Sequence, residues 1–173
     1  MVYKIRIIAD TENDVIRDVA LRADANLEDL HNVITNAFGF TGSEMASFYD
    51  SDANWNQGRE IPLFDMSGTD GTRQMDKFLL QDVLNEENNR MLYIYDFLSM
   101  WTFYMELVEI LPEAEFSELP ILLLSVGVLP EEAPDKQFVS QSDEEQSDDL
   151  YDDFNDVENL DGLNFDNFDD LMN

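Results

Sequence analysis

The sequence predicts an α+β domain: a mixed, mostly antiparallel sheet with two helices on one face, in the order β-β-α-β-α-β-β-β, followed by a disordered acidic tail. Apolar residues alternate with polar ones at residues 2–9, which is typical of a half-buried strand. A well-capped helical pattern follows. The net negative charge then becomes about three times denser after Pro130. We therefore place one domain at residues 1–130 and a tail at residues 131–173.

The first two apolar stretches predict an antiparallel hairpin. Tyr3, Ile5 and Ile7 share one face of the first strand, and after a turn at residues 11–14 the second strand runs to Leu21. The hairpin carries half of the bases in the first 130 residues: Lys4, Arg6, Arg17 and Arg22. We expect this to be the one place in the domain where the local charge becomes positive.

The next segment has the start and stop signals of a helix. Asp24 or Asn26 can cap the free N–H groups, and Gly39 suits the left-handed stop. Between them apolar residues recur at spacings of three and four: Leu27, Leu30, Ile34 and Phe38. We expect this stripe to face the sheet.

The middle of the domain predicts a strand, a loop and a second helix. Residues 45–50 have the composition of a short strand. Residues 52–72 are rich in Asn, Gly and Asp, so we expect a long loop anchored by Trp55 and Phe64. Residues 75–84 predict a short helix. Its expected buried face consists of Met75, Phe78, Leu79 and Val83.

The last apolar stretches predict three strands. Residues 91–97 and 101–110 are rich in aromatic and branched residues, which indicates a second hairpin. Residues 119–128 are almost wholly apolar and are too short for a membrane span. We expect them to form a buried strand.

The charge of the chain excludes two classes of partner. It has 39 acidic and 9 basic residues, a formal net charge of −30. Nucleic-acid phosphates and anionic membranes both require clustered Lys and Arg. We therefore expect neither direct nucleic-acid binding nor membrane binding, and we expect a monomer. With no cysteine and no apolar leader, the chain is predicted to be cytoplasmic.

The sequence contains no recognisable catalytic motif. One histidine and no cysteine cannot assemble a zinc site of the usual ligands, and no glycine-rich phosphate loop is present. We therefore predict no metal and no cofactor. His31 borders the apolar stripe of the first helix, where a histidine is more often a packing residue than a catalyst.

The second hairpin offers the one candidate cleft of the domain. Tyr95, Asp96, Trp101 and Tyr104 could line it, with Asp96 as an anchor or base. The structural alternative is that Asp96 caps the turn while the aromatic side chains pack across strands. Among the residues of the domain, Asp96 is nevertheless the main candidate for a functional role. An enzyme or small-ligand-binding protein remains the alternative function.

The tail interleaves carboxylates with apolar side chains. This composition is typical of segments that are disordered alone and fold on a partner with a basic surface. The candidate contact residues are Leu150, Tyr151, Phe154, Phe165 and Phe168. The tail could instead only aid solubility, mimic nucleic-acid charge, or dock on the four bases of the first hairpin. We expect a non-enzymatic interaction module with a tail for binding or regulation.

Three motifs in the domain match a family pattern. VIRDV at residues 15–19 precedes LEDLH at 27–31, which continues through Ile34, Ala37 and Gly39-Phe40. YIYDF at 93–97 precedes Trp101 and ends at 106–109, and SVGVLPEE occupies 125–132. Over residues 1 to about 135 the chain resembles the plasmid pRiA4b ORF-3-like family, whose members are often labelled as passengers of transposable elements. The resemblance implies a fold and no specific reaction.

The chain departs from the family pattern beside its candidate cleft. Leu98, Ser99 and Met100 stand where the family usually has Gly, Asp and another acid. Phe103 stands where a histidine commonly follows the tryptophan. These positions therefore lack the polar groups that a metal or acid–base role would need.

Overall fold

The computed structural model describes residues 1–68 and 73–135. Within them, seven strands form one sheet: β1 Val2–Ala9, β2 Ile16–Arg22, β3 Ala46–Ser51, β4 Gln57–Pro62, β5 Arg90–Tyr95, β6 Trp101–Leu111 and β7 Ile121–Val126. Helix α1 is Leu27–Phe38 and α2 is one turn, Leu80–Val83, while Met75–Lys77 and Glu113–Glu115 are 3₁₀ turns. The predicted tail residues from 136 onward lie outside the described ranges.

The strands lie in the order β4-β3-β5-β6-β1-β2-β7. Every strand pairing in the described residues is antiparallel, so the predicted α+β class is confirmed and the sheet is antiparallel where a mixed sheet was allowed. The two predicted hairpins are β1–β2 and β5–β6. Three of the six pairings, β1–β2, β3–β4 and β5–β6, join strands that follow one another in the chain, as antiparallel hairpins do.

Helix α1 forms where the sequence predicts it. Asn26 accepts a hydrogen bond from the Asp29 backbone N–H at 2.8 Å, and the Asp29 carboxylate accepts one from the Asn26 N–H at 3.1 Å. This reciprocal pair satisfies two donors that the helix leaves free. The helix ends before Gly39, whose φ is +80°. All four residues of the predicted stripe are buried against the sheet, each worth roughly 2 kcal/mol of hydrophobic stabilisation.

Arg17 lies at the junction of β2, α1 and β7 and is buried, with 7% of its surface exposed. Its Nε donates to the Ala37 carbonyl at 3.0 Å, and Nη1 donates to Ile16 and Val126 at 2.9 and 2.8 Å. Nη2 donates to Gly127 at 3.1 Å. Burial lowers the pKa of the guanidinium, yet an arginine remains protonated in water-exposed and buried sites alike. One cation thus joins three elements.

His31 and Tyr93 form a buried polar pair between α1 and β5. The His31 Nδ1 lies 2.7 Å from the Tyr93 hydroxyl. Burial lowers the pKa of His31 and raises the pKa of Tyr93, because both charged forms lose hydration. Both groups are therefore neutral near pH 7. The pair supports packing, as the sequence indicates for His31.

Residues 52–72 contain β4 and are not the continuous loop that the composition predicts. Ile61 pairs with Phe48 in the register of β3 and β4, and it is buried. Ile61 and Leu63 anchor this segment, whereas the predicted anchor Phe64 is 57% exposed. The strand was missed because residues 57–60 of this edge strand are exposed and have a loop-like polar composition.

Residues 75–84 form two short turns and not one helix. The Leu27 N–H donates to the Phe78 carbonyl at 2.9 Å, and the Leu80 N–H donates to the Ala25 carbonyl at 2.8 Å. These bonds hold Phe78 and Leu79 extended. The fully buried residues are consequently Met75, Leu80 and Leu84. Of the other residues of the predicted face, Phe78, Leu79 and Val83 are half-buried, and Phe78 and Val83 pack against the core.

The strand predicted at residues 119–128 exists, but its burial was predicted wrongly. β7 lies at the edge of the sheet and pairs with β2. Its five large apolar side chains are between 39% and 45% exposed. A continuous apolar run therefore forms an open edge in this chain.

Gly127 and Gly39 offer a matched test of backbone packing. Both have positive φ, but a Cβ on Gly127 would lie 2.1 Å from the Asp14 carbonyl oxygen, whereas one on Gly39 meets nothing within 4 Å. Gly39→Ala should lower the unfolding free energy by about 1 kcal/mol. Gly127→Ala should cost clearly more, because backbone must move. Urea unfolding followed by tryptophan fluorescence measures both, and equal losses would contradict the close approach.

Arg17→Met should lower the unfolding free energy by about 3 kcal/mol, since methionine keeps much of the apolar stem but leaves buried carbonyl groups without their donor. Arg22→Gln is the control, because Arg22 is exposed and pairs with Asp24 and Glu113 at the surface. Urea unfolding should show little change for the control. A loss below about 0.5 kcal/mol for Arg17→Met would contradict the assigned role.

His31 should make stability depend on pH. Its pKa is lowered in the folded protein, so below about pH 6.5 the unfolded chain binds a proton that the folded chain does not. Unfolding free energy should therefore fall as pH decreases from about 7.5 to about 5.5, by on the order of 1 kcal/mol. Subtracting the unfolding free energies of His31→Gln, measured over the same pH range, separates the contribution of His31 from that of the carboxylates. If the difference between the two proteins does not vary with pH, the assigned contribution of His31 is wrong.

Candidate interaction surface

The four residues of the predicted cleft are divided between the two faces of the sheet. Tyr95 and Trp101 are register partners on the helix-facing side, where Phe40 lies 4.4 Å and 5.6 Å from their ring centroids. Tyr104 is on the opposite side, in register with Leu92. The structure therefore does not gather these aromatic side chains around Asp96.

Asp96 stabilises the turn between β5 and β6. Its φ is +58°, and its carboxylate accepts hydrogen bonds from the backbone N–H groups of Leu98 and Ser99 at 3.1 and 3.4 Å. Its carbonyl accepts from the Met100 N–H at 2.6 Å. These are the local bonds of the structural alternative given by the sequence, and both of the side-chain bonds are accepted by one carboxylate oxygen, Oδ1.

Trp55 and Tyr104 form an aromatic contact on the face of the sheet opposite α1. Their ring centroids are 5.1 Å apart, and the Arg90 guanidinium lies 4.8 Å from the Trp55 ring centroid. Asp52 accepts hydrogen bonds from the Asn54 and Asn56 backbone, which fixes the loop that carries Trp55. The Asn56 side chain helps to lower the Asp52 pKa. Trp55 thus anchors its loop, as the sequence predicts.

The four bases of the first hairpin do not form one positive surface. Arg6 is paired with the buried Asp18 through two hydrogen bonds of 2.8 Å. The Lys4 Nζ lies 3.9 Å from a Glu109 carboxylate oxygen, and Arg22 forms ion pairs with Asp24 and Glu113. Arg17 is buried on the other face. Docking of the tail on these bases stays a prediction, since residues 136–173 lie outside the described part of the chain.

The edge strand β7 is the most distinctive surface of the described residues. Residues 119–130 contain no charged side chain in a chain of net charge −30. We call residues 119–130 the β7 edge. Charges begin immediately outside it, at Glu118 and at Glu131, and both glutamates are exposed. A neutral apolar strip with acidic ends is therefore open to solvent.

A groove runs between the β7 edge and α1. One cavity of about 370 Å³ is lined by Leu21, Arg22, Ala25, Asp29, Asn32, Val33, Asn36, Leu119 and Pro120. A second cavity, of about 240 Å³, shares Val33, Asn36 and Pro120 and extends to Leu122. The shared residues make the two cavities neighbours. Side chains of a bound segment could enter this mostly apolar groove.

The opposite edge of the same sheet has a different composition. β4 carries Arg59 and Glu60 and ends at Pro62, and Arg59 pairs with Asp50 at 3.0 Å. Charged side chains and proline discourage another strand from pairing at an edge. The β7 edge has no such protection between Pro120 and Gly127. The two edges are therefore not equivalent.

The far end of the β7 edge meets the β1–β2 turn. A cavity of about 320 Å³ lies there, and its lining includes Glu12, Val128, Pro130 and Glu132. Two exposed glutamates thus line a recess of mixed polar and apolar character next to the end of β7. Cationic groups of a bound segment would be attracted to this end.

The described residues hold no group of three His, Asp or Glu side chains arranged for a metal ion. Among them, too, no helix is long and apolar enough to cross a bilayer. His31 is 2% exposed and lies beneath the surface. These findings leave the β7 edge as the surface with the clearest chemical character.

Sequence reasoning missed the β7 edge because an apolar run fits a buried strand equally well. The useful signal was the pattern of charge around the run: twelve consecutive uncharged residues between Glu118 and Glu131 in a strongly acidic chain. Tyr104 also carried a signal. Residues three apart in a strand point to opposite faces, which separates it from Trp101.

The comparisons with known proteins identify the family. The crystal structure of MM3350, a protein of unknown function from Methanosarcina mazei Go1, is similar with 25% sequence identity and a TM-score of 0.62, covering 75% of this chain and 72% of that one. No curated protein matches the chain. The family model described as plasmid pRiA4b ORF-3-like protein matches residues 1–157. The chain therefore belongs to the plasmid pRiA4b ORF-3-like protein family.

Proposed function

We propose that this protein is a non-enzymatic interaction module that binds a protein partner with a basic surface. The observation that carries the proposal is the β7 edge, an exposed apolar strand in a strongly acidic molecule. Exposed apolar strips of this kind mark interaction sites more often than they mark active sites. The alternative of a cleft around Asp96 is less favoured, because the turn uses that carboxylate.

The charge of the chain favours a cationic partner. A net charge of −30 attracts basic proteins over a distance set by the salt concentration and repels acidic ones. Such attraction raises the association rate, while apolar contact at β7 would supply the short-range affinity. The same negative charge disfavours self-association, so the proposal includes a monomeric state. A cytoplasmic location is also part of the proposal.

The acidic tail would add a second contact or regulate the first. Its candidate apolar contacts are Leu150, Tyr151, Phe154, Phe165 and Phe168. Segments of this composition order on a partner and pay conformational entropy for it. Mimicry of nucleic-acid charge is one form that this binding could take. The tail is a proposal from composition alone.

Affinity capture from the native cell tests the proposed function. Full-length bait should retain a specific basic protein, and Leu123→Arg should lose it, because a positive charge on the edge repels a cationic partner and interrupts the apolar strip. Leu123 has no register partner at the β2–β7 bulge and is 41% exposed, so the fold should tolerate the change. Leu123→Thr is the control, and it should retain most of the partner.

A bait ending at Asp135 separates the contributions of the domain and the tail. Retention by this shorter bait assigns binding to the domain, and its loss assigns binding to the tail. Failure of the full-length protein to retain any specific protein, with bait and variants equally folded by circular dichroism, would contradict the interaction module.

A further inference from the structure

We propose that the partner adds an extended segment to β7 as a further strand of the sheet, and that this segment has apolar residues in its middle and Lys or Arg at both ends. The inference rests on the proposed function and names the chemistry of the partner at that site. The backbone, the side chains and the charges of the β7 edge each favour such a segment.

The backbone of β7 provides half of a strand pairing. In the described residues β7 pairs on one side, with β2, through partners from Ile16↔Val126 to Ala20↔Ile121. The N–H and C=O groups on its other side point away from the sheet. A strand placed there gains main-chain hydrogen bonds without a change in the fold. A six-residue strand such as β7 spans roughly 20 Å.

The side chains of β7 provide apolar contacts on both faces. Leu122 lies opposite Val19 and reaches the groove beside Val33. Leu124 lies opposite Asp18, on the other face of the sheet. An added strand alternates in the same way, so its side chains would meet the groove on one face and Leu124 on the other. Apolar residues therefore suit the middle of the segment.

The charges at the two ends specify the ends of the segment. Glu118 lies before β7, while Glu12, Glu131 and Glu132 lie near its far end. No opposite charge separates the two acidic ends along residues 119–130. Lys or Arg at the termini of a bound strand would be attracted to these carboxylates, an attraction that salt screens over roughly 8 Å at physiological ionic strength. Acidic termini would be repelled.

The same charges argue against a second copy of this chain as the occupant. Two β7 strands pairing antiparallel about a two-fold axis would place the Glu118 end of one copy beside the Glu131 end of the other. Like charges would then meet at both ends of the interface. Each chain also carries a net charge of −30. A cationic segment from another protein removes this repulsion.

Peptide titration of the full-length protein tests the inference. The probe is a synthetic peptide of alternating valine and threonine with two lysines at each end, and the matched control has glutamates in place of the lysines. Isothermal titration at low salt should show binding of the lysine peptide at least tenfold tighter than binding of the glutamate peptide. Amide exchange of residues 121–126 should slow on addition of the lysine peptide.

Two variants and two controls localise the binding. Leu123→Arg should weaken the lysine peptide at least tenfold, whereas Leu123→Thr should change its affinity less than threefold. Glu131→Gln combined with Glu132→Gln should weaken the lysine peptide and reduce the salt dependence of its affinity. Arg59→Gln, on the β4 edge, should leave binding unchanged.

Four outcomes would overturn the inference: no binding of the lysine peptide, equal binding of both peptides, slowed exchange in β4 in place of β7, or a mass doubled in light scattering that Leu123→Arg abolishes. The last would assign the edge to a second copy. If Leu123→Arg removes a cellular partner while neither peptide binds, the interaction module stands and the cationic strand is wrong.

Discussion

The buried guanidinium of Arg17 is the interaction on which the edge of this sheet depends. It bonds to carbonyl groups of β2, of the last turn of α1, and of the segment that ends β7. Helix α1 has no basic residue in its last turn, so Arg17 supplies the positive charge that favours a helix C-terminus. Because none of the large apolar side chains of β7 is fully buried, backbone pairing with β2 and the hydrogen bonds from this cation add to what holds the strand in place. Arg17 thereby orients the proposed binding strand relative to the groove along α1.

The elements that the sequence predicts well are those whose signals are local. Alternation defines β1 and β2, and Asn26 with Gly39 defines α1, because each signal lies within the element itself. The second helix is shorter than predicted for a long-range reason: backbone hydrogen bonds with Ala25 and Leu27 hold residues 78–79 extended. Whether β4 forms and how far β7 is exposed also depend on which strands lie beside them in the sheet. The spacing of residues along the sequence does not show which strands are neighbours.

The candidate site shows the same division between local and distant information. The role of Asp96 in its turn follows from nearby residues, and the sequence includes it as an alternative. The value of the β7 edge as a surface follows from its position in the strand order, which the composition of residues 119–128 does not determine. In the proposed binding mode, the charged β4 edge would keep the sheet soluble while the neutral β7 edge would recognise the partner. The acidic background of the chain would then favour cationic partners at the neutral edge.

The position of Arg17 also affects how the molecule resists mechanical force. Val126, the last residue of β7, pairs with Ile16, and the carbonyls of Val126 and Gly127 both accept hydrogen bonds from Arg17. Tension transmitted through the residues after Asp135 would load this end of the strand first and would tend to unzip β7 one pair at a time. The Arg17 guanidinium bonds at the strand pair that would separate first, so its hydrogen bonds would raise the force needed to detach β7 from this end.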